Sequence, residues 1–303
     1  MIRRRFINGK TAVAGVLEAI LLIALVAIVL SIIQFAYIPV IMEQREADHM
    51  DEVLNQFSSL KSVIEIQSMM GAMGSGESIL YTPMSSPITL GSEKFPYFIT
   101  ERGYGRVDVT DQDAAGDHIV NIQPAPADFP SGIPLTSLEY EAFNSYFVDQ
   151  TYVLEGGGII LKQSNGEVMR VNPGIAVENN SALGYIKIYW TIPLFNGVPG
   201  KNITAGYKES YVRTNYSNHY THSGSPNYIY IYTDYPDAWN KSLIKDDTGL
   251  LWEYHNNRYL NVEVDDSFTP DRVEITPYTK SINLELTIVE IGVQVGVGEA
   301  IDT

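Results

Sequence analysis

The residues best suited to chemistry by type are two histidines, His219 and His222, in the segment NHYTHSG. Imidazoles three positions apart could share a metal ion, and Ser223 beside them could act as a nucleophile if a base and an orienting group lay nearby. The surrounding stretch is polar and rich in turn formers, and it offers no third ligand. We therefore predict surface histidines here, with no metal site and no catalytic residue.

A second candidate is the acidic segment DQDAAGD, residues 111–117, which begins like a calcium-binding EF-hand loop. The fifth position is Ala115, and the twelfth is Ile122 where a bidentate glutamate is required. We predict a polar turn instead of a calcium site, and we interpret the acidic pairs 246–247 and 265–266 in the same way.

The chain also lacks the usual catalytic motifs. It has no G-x-S-x-G elbow, no P-loop, no H-E-x-x-H and no cysteine. Without a nucleophile, base and orienting group that can be named together, we predict that the protein is not an enzyme and uses no cofactor.

These candidates follow a long apolar segment, residues 11–42. Its one ionisable residue is Glu18, and from 19 to 33 every side chain except Ser31 is aliphatic. A bilayer core about 30 Å thick needs about 20 apolar residues in a helix. Because the segment is longer, we predict a helix that crosses the membrane and then continues beyond it or packs against copies of itself.

Charge is distributed unevenly around this segment. Residues 1–42, which include a basic leader at 1–10, have a net charge of +3, and residues 43–303 have a net charge of −19. Basic residues flanking a first membrane helix stay in the cytoplasm. We therefore predict a single-pass protein in contact with membrane lipid, with its N-terminus cytoplasmic and its C-terminal domain extracellular.

The net negative charge of residues 43–303 excludes nucleic acid as a partner, because each contact with a phosphate would require a cation. A cleaved secretory signal is disfavoured, since its apolar region spans only about 7 to 15 residues.

Residues 43–70 show helical periodicity. Apolar side chains recur at Ala47, Met50, Leu54, Phe57 and Ile64, with charged and polar residues between them. This pattern predicts an amphipathic stalk helix that ends at a glycine-rich segment. Its apolar face requires a partner, either the protein's own β domain, which is the commoner outcome, or neighbouring subunits.

Beyond residue 77 the periodicity changes to two. The predicted strands are 78–81, 95–100, 105–109, 118–122, 151–155, 159–163, 167–171, 184–191, 208–213, 228–233, 250–254, 259–264, 272–276 and 281–295. Many short strands separated by turns predict a mainly antiparallel sandwich, or two of them, in an extracellular β domain at 77–303. With the long N-terminal helix, the predicted fold class is α+β.

Other local signals divide this β region. The pair Asn165-Gly166 predicts a hairpin turn. We interpret SPITL (86–90) and the proline-rich segment 124–135 as loops, the latter as a possible internal boundary. Short helices are predicted at 137–147 and 236–245.

The N-terminus resembles that of archaeal type IV pilin-like proteins with class III signal peptides. The resemblance is carried by a basic leader, by Ala12, Val13 and Leu17 at the start of a long aliphatic helix, and by the polar helix and β region that follow. The segments YVLEGGGIILKQSNGEVMRVNP and YIYIYTDYPDAWNKSL are similar to parts of uncharacterised archaeal pilin-like surface proteins, in which a strand leads into a short helix with an A-W pair, here Ala238 and Trp239.

The resemblance implies a prepilin peptidase as a partner and a filament core built from apolar helices of this chain or of other pilins. Many such proteins have a glutamate at the fifth mature position. Cleavage after Gly9 would place Glu18 ninth, and cleavage after Val13 would place it fifth. Glu18 is therefore the candidate assembly residue, pairing with the N-terminal amine of a neighbouring subunit. The alternative is that it lies near the cytoplasmic interface and contacts water.

Surface features complete the prediction. Four N-x-[ST] sequons make Asn179, Asn202, Asn215 and Asn240 candidate glycosylation sites. The run YIYIY at 228–232 predicts tyrosines on one strand face, which either cover the sheet or bind sugars or another subunit. We thus expect a membrane-anchored cell-surface structural or adhesive protein, a pilin-like subunit with an exposed β domain. The alternative is a monomeric anchored ectodomain that binds a ligand or an envelope component.

Overall fold

A computed structural model of the protein describes residues 9–73, 83–92, 103–112, 114–124, 132–245 and 247–296. Predicted strands 78–81 and 95–100, and the leader through residue 8, lie outside the described residues. The chain begins with helix α1 (Gly9–Ile32) and continues without a break through a π-helical turn (Ile33–Tyr37) into helix α2 (Ile38–Met73). The π turn ends two residues before Pro39, a residue that lacks an N–H and crowds the preceding turn.

The rest of the described chain forms sixteen strands and two short helices. The strands are β1 (Met84–Thr89), β2 (Tyr104–Thr110), β3 (Ile119–Gln123), β4 (Ile133–Pro134), β5 (Ser137–Phe143), β6 (Gln150–Glu155), β7 (Gly158–Gln163), β8 (Gly166–Val171), β9 (Ile175–Asn180), β10 (Tyr185–Gly197), β11 (Ile203–Gly206), β12 (Glu209–Gly224), β13 (Tyr228–Tyr232), β14 (Leu260–Asp265), β15 (Arg272–Pro277) and β16 (Ser281–Val295). The helices are α3 (Pro236–Ile244) and α4 (Trp252–Asn256).

The strands form three sheets. Sheet 1 has the order β1-β12-β16-β10-β9, sheet 2 the order β11-β2-β5-β6-β7-β8, and sheet 3 the order β14-β15-β13-β3-β4. Within the described residues every pairing is antiparallel except that of β10 with β16, whose register runs from Tyr185 opposite Ser281 to Gly197 opposite Val293. The predicted α+β class, a long apolar helix followed by a mainly antiparallel β region, is confirmed.

Two hydrophobic cores share the central strands β10 and β16. In β16, Ile282, Leu284, Leu286 and Ile288 face the first core, which α3 and sheet 3 cover. Val289, Ile291, Val293 and Val295 face the second core, which α2 and sheet 2 cover. The strand thus changes which face it buries at Ile288 and Val289, and one long strand holds both cores together.

The apolar face of helix α2 packs on the protein's own β domain, which is the commoner of the two predicted partners. Met50, Phe57, Leu60 and Ile64 are buried in the second core, while Ala47 and Leu54 are half-buried. A fully buried Leu, Phe or Met side chain contributes about 1.5–3 kcal/mol relative to exposure. Burial of this stripe therefore fixes the helix to the β domain.

Four local predictions were wrong. The segment 124–135, interpreted as a loop, contains strand β4, which pairs with β3. Residues 137–143 form strand β5 instead of a helix, because Leu138, Tyr140 and Ala142 alternate toward the second core. Residues 250–254 form a turn and the start of α4 instead of a strand. The SPITL segment is part of β1, which pairs with β12. The hairpin at Asn165-Gly166 and the helix at 236–244 are confirmed.

Strands on either side of the predicted boundary at 124–135 pair with each other. Strand β2 pairs with β5, and β3 pairs with β13. Hydrogen bonding therefore crosses this segment, and a domain boundary there stays a prediction.

Candidate functional site

The most unusual surface of the molecule is an exposed apolar segment of the N-terminal helix, residues 14–37. Every described side chain in it is exposed, including Leu21 at 69%, Ile23 at 67% and Phe35 at 79%. The helix contains an 18-residue window with a mean hydropathy of 3.1, none of it buried. In the described chain this is the one helix long and apolar enough to cross a membrane.

Two polar residues of this segment, Ser31 and Glu18, differ in whether the helix itself provides a partner. The hydroxyl of Ser31 donates to the carbonyl of Ala27 at 2.8 Å, so it needs no partner outside the helix. Glu18 is exposed and has no hydrogen-bond or ion-pair partner among the described residues. Its carboxylate is therefore free to pair with a group from outside the chain or with water.

Glu46 marks the point where the helix enters the β domain. Its carboxylate is fully buried and accepts three backbone N–H groups from the loop between β5 and β6, those of Ser145, Tyr146 and Phe147, at 2.7–3.0 Å. Charge-assisted bonds of this kind are stronger than neutral ones. The side chain thus ties the base of α2 to sheet 2.

One turn further along α2, His49 makes a second buried polar contact. Its Nε2 lies 3.0 Å from the hydroxyl of Tyr140, which itself donates to the carbonyl of Leu90 at 3.0 Å. Burial lowers the pKa of His49, and the charge of Glu52 opposes this shift. Because the hydroxyl of Tyr140 already donates to Leu90, its oxygen accepts from Nε2 of His49, and the two bonds link α2 to β5 and to the end of β1.

Two amide side chains fasten the helix to sheet 1. Gln56 donates to Thr89 Oγ1 at 2.8 Å and accepts the backbone N–H of Thr89 at 2.9 Å, which satisfies an outward-facing group of edge strand β1. Gln67 donates to the carbonyl of Thr214 on β12 at 2.9 Å. These contacts fix the rotation of α2 and hence the direction in which the apolar segment leaves the domain.

A separate buried polar cluster lies at the end of β6. Glu155 is 2% exposed and accepts the hydroxyl of Thr233 at 2.7 Å and the indole N–H of Trp239 at 2.9 Å. Burial raises the pKa of Glu155 to about 7, and the hydrogen bonds from Trp239 and Thr233 reduce the shift. The sequence analysis noted the A-W pair but did not predict that Trp239 contacts Glu155.

The histidines singled out in the sequence lie on β12. Tyr216 and His219 approach each other, with the tyrosine hydroxyl 2.6 Å from Nδ1. Across the described residues no group of three or more His, Asp or Glu side chains gathers as a metal site would require. Asp111 caps a turn by accepting the N–H of Ala114 at 3.1 Å, whereas Asp113 and Asp246 lie outside the described residues.

The four sequons differ in their accessibility. Asn179 is exposed on edge strand β9, and Asn202 is half-buried in the turn before β11. Asn215 and Asn240 are half-buried, and the side-chain oxygen of each is buried with no hydrogen-bond partner among the described residues. Asn179 is therefore the best placed of the four to accept a glycan.

The tyrosines of β13 lie on one face as predicted, with Ile229 and Ile231 in the first core. Tyr228 and Tyr230 stack on each other with centroids 4.1 Å apart, and the guanidinium of Arg272 lies 4.4 Å from the Tyr230 centroid. These rings cover one another, which favours the sheet-covering interpretation.

Comparisons with known proteins give no match: no family model, no curated protein and no solved structure is significantly similar to this chain.

Proposed function

We propose that this chain is a membrane-anchored structural or adhesive protein of the cell surface, a pilin-like subunit in which the N-terminal helix anchors or assembles and the β domain is displayed. The observation that carries the proposal is the division of one continuous helix. Residues 14–37 are exposed and apolar, whereas the buried stripe that begins at Met42 belongs to the β domain.

Physical chemistry requires a cover for the exposed segment. Soluble monomers rarely present apolar patches larger than a few hundred Å², and this segment extends over more than six helical turns. Its length matches a bilayer core about 30 Å thick. A bilayer, or the equivalent helices of other copies in a filament, would provide the apolar environment.

The direction of insertion follows from charge. The cluster Arg3–Arg5 precedes the helix, and the chain after Met42 is strongly acidic. By the preference of basic flanks for the cytoplasm, the β domain lies outside the cell. In a filament, prepilin peptidase would first remove the leader, and Glu18 would pair with the terminal amine of a neighbouring copy.

A monomeric anchored ectodomain is the second candidate. One observation favours it: α2 fills the second core from within the same chain. The β domain thus needs no strand or helix from another copy to complete its core.

Membrane association can be tested with two arginines in the apolar segment. Each arginine at the centre of a membrane helix costs about 2.5–3.5 kcal/mol on insertion scales. The double variant Leu22→Arg, Val26→Arg should be lost from the carbonate-resistant membrane fraction. The control variant Ile66→Arg, on an exposed face of α2, should remain in that fraction. Equal partition of wild type and double variant would contradict the anchor.

Assembly is tested separately with the Glu18→Leu variant in the native cell. We expect normal membrane insertion with loss of filaments labelled by an antibody to the β domain, and a mature N-terminus at or after Lys10 by mass spectrometry. An intact Met1 in the cell envelope, or unchanged filament yield in the variant, would contradict the pilin-like role. Wild-type cells with membrane-bound protein and no labelled filaments would favour the monomeric ectodomain.

A further inference from the structure

An open cleft lies where α4 meets the first residues of β14. Its volume is about 470 Å³, and its walls include Trp252, His255, Asn256, Arg258, Asn261 and Tyr278. This volume is within the range of about 300–1,000 Å³ found for small-molecule sites. We call it the α4 cleft.

Two aromatic rings of the α4 cleft are available for stacking. The indole N–H of Trp252 donates to Asp247 Oδ1 at 3.1 Å, so the polar edge of this ring is satisfied within the chain. Tyr278 is 67% exposed. In the part of the chain that the structure describes, neither ring stacks on another ring or a cation, unlike the mutually covered tyrosines of β13. Amphipathic aromatic surfaces of this kind suit ligands that have both an apolar face and polar edges.

The polar groups of the cleft are mainly hydrogen-bond donors. His255 Nδ1 accepts the backbone N–H of Val262 at 3.2 Å, which leaves the proton of the neutral ring on Nε2. Asn256 and Asn261 add amide groups that both donate and accept. Arg258 is the one charged residue of the lining and has no ion pair among the described residues. The set matches a ligand with several hydroxyl groups and one carboxylate.

Backbone conformation and backbone hydrogen bonds hold the main chain around the cleft in place. Asp247 and Arg258, with φ of 57° and 56°, are the two non-glycine residues of the described chain in the left-handed region. Such strain persists where surrounding contacts enforce it and is common at binding sites. The carbonyl of Tyr259 accepts the N–H groups of residues 278–280 at 3.0–3.2 Å, which holds Tyr278 beside the cleft. A preformed site loses little conformational entropy on binding.

We propose that the α4 cleft binds a uronic-acid unit of a polysaccharide, with the sugar ring against Trp252 or Tyr278 and the carboxylate on the guanidinium of Arg258. A guanidinium binds a carboxylate through two parallel hydrogen bonds. The inference goes beyond the proposed function, since the cleft would bind sugar whether or not the N-terminal helix enters a filament.

The test is calorimetric titration of the detergent-solubilised full-length chain with two matched probes. One is a tetrasaccharide of β-1,4-linked glucuronic acid, and the other is cellotetraose, which has the same backbone with a hydroxymethyl group in place of each carboxylate. Since hydrogen bonds to a charged group are stronger than those to a neutral one, we expect the acidic probe to bind at least about tenfold more tightly.

Two cleft variants and two controls assign the binding to the cleft. Arg258→Gly suits the left-handed backbone and should reduce affinity for the acidic probe about tenfold without changing affinity for cellotetraose. Tyr278→Ala, at an exposed position, should reduce the affinity for both probes. The two control variants, Arg170→Ala on β8 and Tyr220→Ala on β12, change exposed residues and should leave the affinity for both probes unchanged. The proposal is overturned by absence of binding of the acidic probe, by equal affinity for the two probes, or by affinities that the cleft variants leave unchanged.

Discussion

Trp239 on α3 donates its indole N–H to the buried carboxyl group of Glu155 at 2.9 Å. The contact joins the end of β6 in sheet 2 to the helix that follows strand β13 of sheet 3, and Thr233 donates to the same oxygen at 2.7 Å. Charged neighbours include His118, which favours ionisation, and Glu139, which opposes it. Because burial outweighs the favourable contacts, Glu155 retains its proton up to about pH 7 in the folded state.

We predict a pH dependence of stability from this group. Below about pH 4.5 Glu155 is protonated in both states, and between 4.5 and about 7 only the unfolded chain loses its proton. The stabilisation present at low pH is therefore lost as pH rises through this window, by up to about 3 kcal/mol for a shift of this size. Glu155→Gln retains an acceptor oxygen and cannot ionise. Its stability relative to wild type should thus increase across the window.

The measurement is the free energy of unfolding of the detergent-solubilised chain from denaturant titrations at pH 4.5, 6 and 8. Glu141→Gln, half-buried on β5, is the matched control and should follow the wild-type curve. Parallel curves for wild type and Glu155→Gln would show that Glu155 ionises normally in the folded protein.

In the turn after Glu155, adding a single methyl group at Gly156 should strongly destabilise the protein. Gly156 has φ of +57°, and a Cβ at this position would lie 2.7 Å from the ring of Trp239. Left-handed strain of about 1–2 kcal/mol and overpacking of about 1–3 kcal/mol should together destabilise Gly156→Ala by about 3 kcal/mol. Gly174→Ala, where a Cβ meets nothing within 4 Å, should change stability by less than about 1 kcal/mol. Equal melting temperatures of the two variants would contradict this reasoning.

Glu46 should be required for attachment of the helix to the β domain. Glu46→Ala leaves the N–H groups of residues 145–147 without their acceptor, and we expect a loss of about 3 kcal/mol, since bonds to a charged group contribute about 1.5–3 kcal/mol each and the loop regains some water. Hydrogen exchange of residues 145–147 should accelerate. Glu43→Ala, one turn earlier and exposed, should have neither effect.

The contrast between Glu46 and Phe57 shows how far the sequence predicts this architecture. Apolar residues at helical spacing predicted the buried stripe of α2 correctly, because periodicity alone reports which face is apolar. Glu46 and His49 occupy the same stripe but are polar, and their partners lie about a hundred residues away. Local patterns contain no information on such partners, so the polar attachment could not be predicted.

The wrong local predictions have a similar origin. Strand β5 contains glutamates that favour helices, yet Leu138 and Tyr140 alternate toward a core that other strands complete. The parallel pairing of β10 with β16 joins segments about a hundred residues apart, and alternation within each strand does not specify its neighbour. The α4 cleft was missed for the same reason, since Tyr278 reaches it from a turn distant in sequence from Trp252.

The sequons provide a prediction on surface modification. Asn179 is exposed, and its Oδ1 accepts the ammonium of Lys280 at 2.6 Å and the hydroxyl of Ser181 at 3.3 Å, which leaves the amide nitrogen available for a glycan. Asn240 lies within α3, and the hydroxyl of its sequon serine, Ser242, is buried and donates to Asn172 at 3.0 Å. Glycosylation of Asn240 would require part of this helix to unfold, since a glycan is bulky and hydrophilic.

We therefore expect glycopeptide mass spectrometry of the protein from its native cell surface to find Asn179 modified and Asn240 unmodified. Asn179→Gln should lower the mass of the mature chain by one glycan, whereas Asn240→Gln should change it only by the substitution itself. A bare Asn179, or a glycan on Asn240, would contradict the prediction. Because a glycan at Asn179 extends from an edge strand, its presence would also protect β9 from pairing with the exposed edge of another sheet.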